Sequence, residues 1–322
     1  MRIGERSIIP TMTASPTSGA GLRPHLALLL CNLIWACDYP FYNMVLGRYI
    51  SPVAMVSASL IVTALFSLIP LLWQKSEKIE RSDIKIMFLA ALVMGIARKL
   101  LLMYGLSRTS PIDGSIIETV VPLLVLAISV VIGIDRFTRL KLAGLILGMA
   151  GAVAVILMSG DGGHERSDMS GNLMILCCAF ATAFYMVWFK KLISKYRVTT
   201  VLRWVYCFAA LIMFPFGGYD IVHTDYAAMD THIVLAALFV LTVPTYLPNL
   251  MLNYSLRYVQ PTVSSIYTYL QPIIAILLSV ALGLDRLHGD TVVAALFIFV
   301  GVALVIRSYS AGSPMHGRPH LR

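Results

Sequence analysis

The sequence predicts an all-α polytopic membrane protein: ten transmembrane helices in two inverted five-helix repeats around a central cavity. Three observations predict it. The 322-residue chain is 58% apolar and only 13% charged, with mean hydropathy +0.82, whereas soluble domains carry roughly 25% charged residues. Its apolar residues fall into runs of membrane-crossing length. A 53-residue stretch occurs twice, and self-similarity of that kind decides an architecture before any local reading does.

A hydrocarbon core of ~30 Å needs about 20 helical residues. Runs near 26–46, 52–73, 84–104, 113–133, 140–158, 171–190, 200–217, 231–253, 262–283 and 291–308 supply ten such spans joined by short connections. Residues 1–24, rich in Pro, Ser, Thr and Gly, are expected to form a disordered cytoplasmic tail with no removable signal peptide. The first repeat is 25–158, an external linker 159–170, the second repeat 171–308 and a cytoplasmic tail 309–322.

The duplication is explicit in residues 104–156. Moved forward by 150 positions, they meet 254–306 without a gap, with 14 of 53 positions identical. Tyr104, Leu106, Pro111, Ser115, Ile116 and Pro122 fall on Tyr254, Leu256, Pro261, Ser265, Ile266 and Pro272; Gly133, Asp135, Arg136 and Gly151 fall on Gly283, Asp285, Arg286 and Gly301. Shared Leu or Ile means little in apolar segments, but Pro, Gly and Asp-Arg at one offset do not arise by shared hydrophobicity.

The net charge of +9 reads as membrane orientation rather than nucleic-acid binding. With the N-terminus inside, eighteen of the 25 Lys and Arg lie in inside tails and loops, and four lie outside (Arg48, Arg108, Arg166, Arg286). The positive-inside rule then puts both termini in the cytoplasm. Five spans per half turn the second half upside down relative to the first, a hallmark of secondary transporters, whose sites lie near the midplane between the halves.

Trp35-Ala36 early in helix 1, Ser107-Arg108-Thr109-Ser110 before helix 4, Pro122 and Pro272 inside helices 4 and 9, and the Gly-x-acid-Arg turns after them resemble the EamA branch of the drug/metabolite transporter superfamily. The resemblance spans nearly the whole chain. It implies transport, commonly export of amino acids or other small metabolites, through a cavity between the halves. The chain departs from the family in three places: Asp135 and Asp285 replace the usual Glu, Ser59 stands where helix 2 often carries Arg, and helix 3 holds two adjacent cations.

Charges inside the spans point to a site, since each costs ~2.5–3.5 kcal/mol at a helix centre unless it is paired or hydrated. Asp38, Arg98, Lys99 and Glu118 lie at one depth, between the midplane and the outer third at ~1.5 Å per residue. They can neutralise one another structurally, or bind cargo and carry protons, with Asp38 and Glu118 as coupling candidates. The 150 offset sends Lys99 to Asn249 and Glu118 to Thr268. Asn249 belongs to a one-face stripe with Thr242, Tyr246 and Asn253, and Thr268 to one with Ser264 and Gln271, so Lys99 and Glu118 are expected to face the cavity and Arg98 to be their structural partner. Trp35, Asp38, Tyr39 and Tyr42 share a face of helix 1, matched in helix 6 by Thr182, Tyr185, Met186 and Phe189. Packing and cargo contact both fit these aromatic stripes. The expected substrate-binding set is Trp35, Asp38, Tyr39, Lys99, Glu118, Tyr185, Tyr246, Asn249, Thr268 and Gln271.

Mid-helix Pro122, Pro244, Pro248 and Pro272 free backbone carbonyls, as cavity-lining or plainly kinked helices do. Gly144-x-x-x-Gly148 is a close-packing motif that serves either dimerisation or packing within a monomer. No cysteine or histidine spacing indicates a metal, no cofactor is expected, and Gly-x-Ser-x-Gly, His-Glu-x-x-His and a Walker lysine motif are absent. The expected activity is therefore secondary active export of small metabolites from the cell, amino-acid-like zwitterions foremost, with protons as a coupling ion and the bilayer as surroundings. The alternatives are a passive channel or a multidrug exporter of the same fold; an intramembrane enzyme fits least. Monomer and homodimer both fit.

Overall fold

The computed structural model describes residues 22–135, 138–158, 168–284, 286 and 289–311. The tail 1–21, most of the 159–170 linker, Arg136, Asp285 and residues 312–322 lie outside the described residues. The described chain is helical: α1 (Leu22–Val45), α2 (Pro52–Leu68), α3 (Arg81–Ala90), α4 (Arg98–Leu106), α5 (Pro111–Glu118), α6 (Val121–Val131), α7 (Arg139–Met158), α8 (Met169–Trp188), α9 (Lys190–Lys195), α10 (Val198–His223), α11 (Thr231–Tyr258), α12 (Pro261–Ile266), α13 (Leu270–Ala281) and α14 (Gly289–Ala311).

Several of these join into longer rods. A 3-10 turn, Ile69–Leu72, extends α2. A π-helical stretch, Ala91–Ala97, carries α3 into α4. Among the described residues, seven segments are long and apolar enough to cross a membrane: Pro52–Leu72, Arg81–Leu106, Pro111–Val131, Met169–Trp188, Val198–His223, Thr231–Tyr258 and Pro261–Ala281. Helices α1, α7 and α14 are of similar length and pack into the same bundle; α1 owes its lower hydropathy to Asn32, Asp38, Pro40 and Asn43.

Local chemistry sets the breaks. Ser110 caps α5 by accepting from the Asp113 N–H at 3.1 Å, and Ser51 caps α2 by accepting from the Ala54 N–H at 3.1 Å. Proline follows each cap, where its missing N–H costs nothing. Pro122 cannot donate to the Glu118 carbonyl, nor Pro272 to that of Thr268. The chain accordingly tightens between α5 and α6, with Val120 N–H donating to Ile117 O at 3.0 Å, and between α12 and α13 through a 3-10 turn, Tyr267–Tyr269. Pro244 likewise strands the Val240 carbonyl, and the Tyr42 hydroxyl donates to it at 3.3 Å.

The duplicated segments end alike. Gly133 and Gly283 take φ of 80° and 66°, the left-handed region that only glycine enters at little cost. Behind each, the same bonds recur: Gly133 N–H to Val130 O at 3.0 Å and Ile134 N–H to Ser129 O at 2.8 Å, Gly283 N–H to Val280 O at 3.1 Å and Leu284 N–H to Ser279 O at 2.9 Å. Packing between the halves is matched too. Helix α7 lies on α14 and α2 on α10; the α1–α11 pairing is answered by α4–α8, and α1–α13 by α6–α8. At the α7–α14 crossing a Cβ on Gly301 would sit 2.6 Å from the Gly148 N, so the Gly144-x-x-x-Gly148 motif closes a contact within this chain.

Both ends of the bundle are tied. At one, Asn43 at the end of α1 donates its side-chain amide to the carbonyls of Leu106 and Thr109, each at 3.3 Å. There Asp168 N–H donates to Arg108 O at 2.8 Å and Thr109 bonds Asn172, so α8 begins where α1 ends and the two run antiparallel. At the opposite end, Lys190 just beyond α8 donates to the Val259 carbonyl at 2.7 Å. Lys195 meets Asp83 at 2.7 Å and Glu80 at 2.8 Å, and the Tyr196 hydroxyl donates to Asp83 at 2.7 Å.

Candidate functional site

The four intramembrane charges converge in the middle of the bundle and are all buried: Asp38, Arg98, Lys99 and Glu118 keep 7, 8, 5 and 3% of their exposure. The π-helical stretch is what splays the two cations. Arg98 N–H donates to Val93 O, five residues back, and such turns widen a helix and re-aim the side chains beyond them. Gly95, within the stretch, lets α10 pack close against it, because a Cβ there would lie 2.6 Å from the Ala209 Cβ.

Arg98 turns towards α8, donating from Nε to Thr182 Oγ1 at 2.9 Å, with its guanidinium 5.1 Å from the centre of the Trp35 ring. That contact has cation–π geometry. Lys99 turns the other way and donates to Ser59 Oγ on α2 at 2.9 Å; Ser59 passes its own proton to Val56 O at 2.9 Å. Ser59 is the position where the resemblance leads one to expect Arg, and here it receives a cation from helix α4.

No ion pair within 4.0 Å joins these cations to Asp38 or Glu118. The carboxylates act at longer range. Asp38 lies in the fields of Lys99 and Arg98, and Glu118 in that of Arg98, with the Cys178 thiol nearby. Arg98 is the hub, with Cys178, Glu118, Tyr39 and Tyr206 around it. Asp38 Oδ1, Glu118 Oε1 and Asn249 Oδ1 are fully buried and accept no hydrogen bond.

The remaining expected residues divide. Tyr39 donates to Gln271 Oε1 at 3.0 Å, and Gln271 Nε2 donates to Asn32 Oδ1 at 2.7 Å, a buried relay from α1 to α13 and back. Tyr185 donates to Asn253 Oδ1 at 2.8 Å, away from its repeat counterpart Asp38. Asn249 Nδ2 and Thr268 Oγ1 turn onto their own helices, to Thr245 O and Ser265 O, each at 2.7 Å. Tyr246 packs edge-on to Phe66, 6.3 Å between centres, and its buried hydroxyl has no partner. The structure thus gathers Trp35, Asp38, Tyr39, Lys99 and Glu118 around Arg98, ties Gln271 to them, and holds Tyr185 and Tyr246 beside Tyr206, which faces Arg98.

Sequence reading missed Asn32 and Cys178. Asn32 lies seven residues before Tyr39, on the same helical face, so its polarity in an apolar run was a signal; Cys178 had none, since a thiol in a span reads as a small hydrophobe. Asp113, in the first turn of α5, is a further buried acid. Among the described residues no three His, Cys, Asp or Glu side chains gather as metal ligands would.

Comparisons with known proteins agree with this architecture. The model of the EamA-like transporter family matches residues 22–157 and again 169–307. An uncharacterized transporter of Archaeoglobus fulgidus is 22% identical over 261 residues, 81% of this chain and 90% of its own. Uncharacterized transporter YdfC of Bacillus subtilis is 23% identical over 249 residues, 76% of this chain and 78% of its own. Protein RarD of Salmonella typhi is 21% identical over 290 residues, 87% of this chain and 93% of its own. One solved crystal structure superposes with a TM-score of 0.64 over 91% of this chain and 98% of that chain at 16% identity, a likeness in fold alone. Matched in both halves by one family model, and built of long apolar helices, the chain belongs to the EamA-like transporter family of multi-span membrane proteins.

Proposed function

We propose that the protein is a proton-coupled secondary transporter that exports small amino-acid-like zwitterions by alternating access between two inverted five-helix repeats. All ten long helices cross the cell membrane, and both termini face the cytoplasm. The observation that carries this reading is the pair of end latches. Asn43 and Lys190 occupy matching places in the repeats, 147 positions apart, and the carbonyls of Thr109 and Val259 that receive them lie 150 apart. Equivalent contacts at opposite ends, around a charged centre, are what a two-sided gate needs: releasing one exposes the centre to one side only. The cytoplasmic assignment of the Lys190 end rests on the excess of Lys and Arg there.

The cargo reading rests on the chemistry of the centre. Cations and carboxylates are balanced two against two, and a zwitterion leaves that balance unchanged. Trp35, Tyr39 and Tyr246 offer aromatic faces for an apolar side chain. Asp38 and Glu118 are placed to take the coupling proton.

Proteoliposomes given labelled L-phenylalanine in the outer medium test this. Wild type should accumulate it against its gradient when a proton gradient is imposed. Asp38→Asn or Glu118→Gln should abolish accumulation while retaining part of the exchange. Equilibration without accumulation would make the protein a passive facilitator. Normal transport by both variants at every pH would leave the acids as structural partners only.

A further inference from the structure

The central polar groups are unevenly satisfied, and the unevenness has a chemical sign. Arg98, Lys99, Asn249 and Gln271 each donate one bond to a protein oxygen, on Thr182, Ser59, Thr245 and Asn32 in turn. Three oxygens have no donor: Asn249 Oδ1, and Asp38 Oδ1 and Glu118 Oε1, which only accept while their carboxyls are ionised. All three belong to side chains more than nine-tenths buried. Leaving such oxygens unpaired in a low-dielectric interior is costly, and native proteins rarely leave one without a use.

The acceptors come from three separate elements. Asp38 is on α1, Glu118 ends α5 at the break before Pro122, and Asn249 is on α11. Pro122 also removes the helical donor that the Glu118 backbone carbonyl would have had, adding acceptor capacity at that corner. The two carboxylates share Arg98 as a common electrostatic neighbour. Asn249 comes directly after Pro248, whose carbonyl takes the Cys31 thiol of α1 at 3.3 Å, so the α11 turn bearing Asn249 lies against the helix that carries Asp38.

We infer that the specificity-determining group of the cargo is a primary ammonium, held by Asp38, Glu118 and Asn249. An ammonium carries three N–H donors and no acceptor, the complement of three unpartnered acceptors. A carboxylate would have to be met by the N–H groups of Arg98 and Lys99 that are not given to Thr182 and Ser59. This deepens the proposed function and rests on its reading of the centre as the cargo site.

Binding to the purified protein, monitored by ligand-induced thermal stabilisation, tests the inference with four probes: L-phenylalanine, its methyl ester, phenethylamine and N-acetyl-L-phenylalanine. The ester and the amine keep the ammonium and lose the carboxylate; the N-acetyl compound does the reverse. The ester and the amine should bind within about threefold of one another, and the N-acetyl compound at least about tenfold more weakly, as expected for a lost charged hydrogen bond. Asp38→Asn and Glu118→Gln should each weaken the ester by about tenfold or more while melting near wild type without ligand. If neither variant can be purified, the wild-type series alone decides.

Binding of the ester and the amine without phenylalanine would uphold the ammonium site and remove the amino-acid reading. Binding of phenylalanine and its N-acetyl derivative, with the ester inert, would overturn the ammonium site and keep the amino-acid reading. No shift with either ammonium compound at about 10 mM, where even millimolar affinity saturates, would also overturn it.

Discussion

Gly133 and Gly283 show how much of this molecule turns on single residues. Each is left-handed and each has open space where a Cβ would go, with nothing within 4 Å. Replacing either by Ala therefore meets no steric neighbour and isolates the backbone cost, about 1–2 kcal/mol for an L residue in that region. Detergent-solubilised Gly133→Ala and Gly283→Ala should both melt lower and by similar amounts. A drop confined to one of them would mean that the two turns are not equivalent. Their equivalence was legible in the sequence, because Gly at one offset survives only where the backbone demands it. The partners of the buried charges were not legible. Asp38, Lys99 and Glu118 stand out as charges in apolar runs, yet whether Lys99 meets Ser59 or an acid depends on the π-helical stretch before it, and adjacent residues on a regular helix give no hint of that widening.

At the scale of elements, the helices were read nearly to their ends, since a 20-residue apolar run in a membrane protein has one sensible fold. Two helices run further than their apolar runs: α10 to His223 rather than 217, and α11 to Tyr258 rather than 253, each carrying its prolines inside. Pro244 is tolerated because the Tyr42 hydroxyl answers the Val240 carbonyl that it strands. The latches were not legible, for Asn43 and Lys190 share no chemistry and only their places match. That difference in chemistry has a consequence. Burial holds the Lys190 ammonium down at about 8, whereas an amide does not titrate. A lysine in an opened, hydrated end would titrate near ~10.4. Between these values the open state binds more protons, so raising the pH through about 8 stabilises closure of the Lys190 end, and falling pH removes that gain. Thiol accessibility at that end should fall as pH rises from about 8 to 9, by up to about tenfold, and Lys190→Met should flatten the profile. Accessibility at the Asn43 end should show no such step.

At the scale of the whole molecule, composition made the all-helical, multi-span architecture readable and left the cargo open. Matching contacts between the halves extend the repeat from sequence into packing, since α1–α11 is answered by α4–α8 and α1–α13 by α6–α8. The sidedness proposed from the Lys and Arg distribution has a direct check. A single cysteine replacing Gly162 in a cysteine-free variant should react with an impermeant reagent in whole cells, and labelling only after lysis would reverse the orientation.

The central claim is that the two ends open in turn. Leu46 and Ile193 occupy matching positions beside the two latches and are 5 and 0% exposed, so single cysteines there report on each end. The measurement is their reaction rate with a small maleimide in purified protein, with and without a latch substitution. Lys190→Met should speed modification at Ile193→Cys by about tenfold and slow it at Leu46→Cys, and Asn43→Ala should do the reverse, as expected when closed ends are favoured by one or two hydrogen bonds. If either substitution speeds both sites together, the ends open as one and alternating access is contradicted.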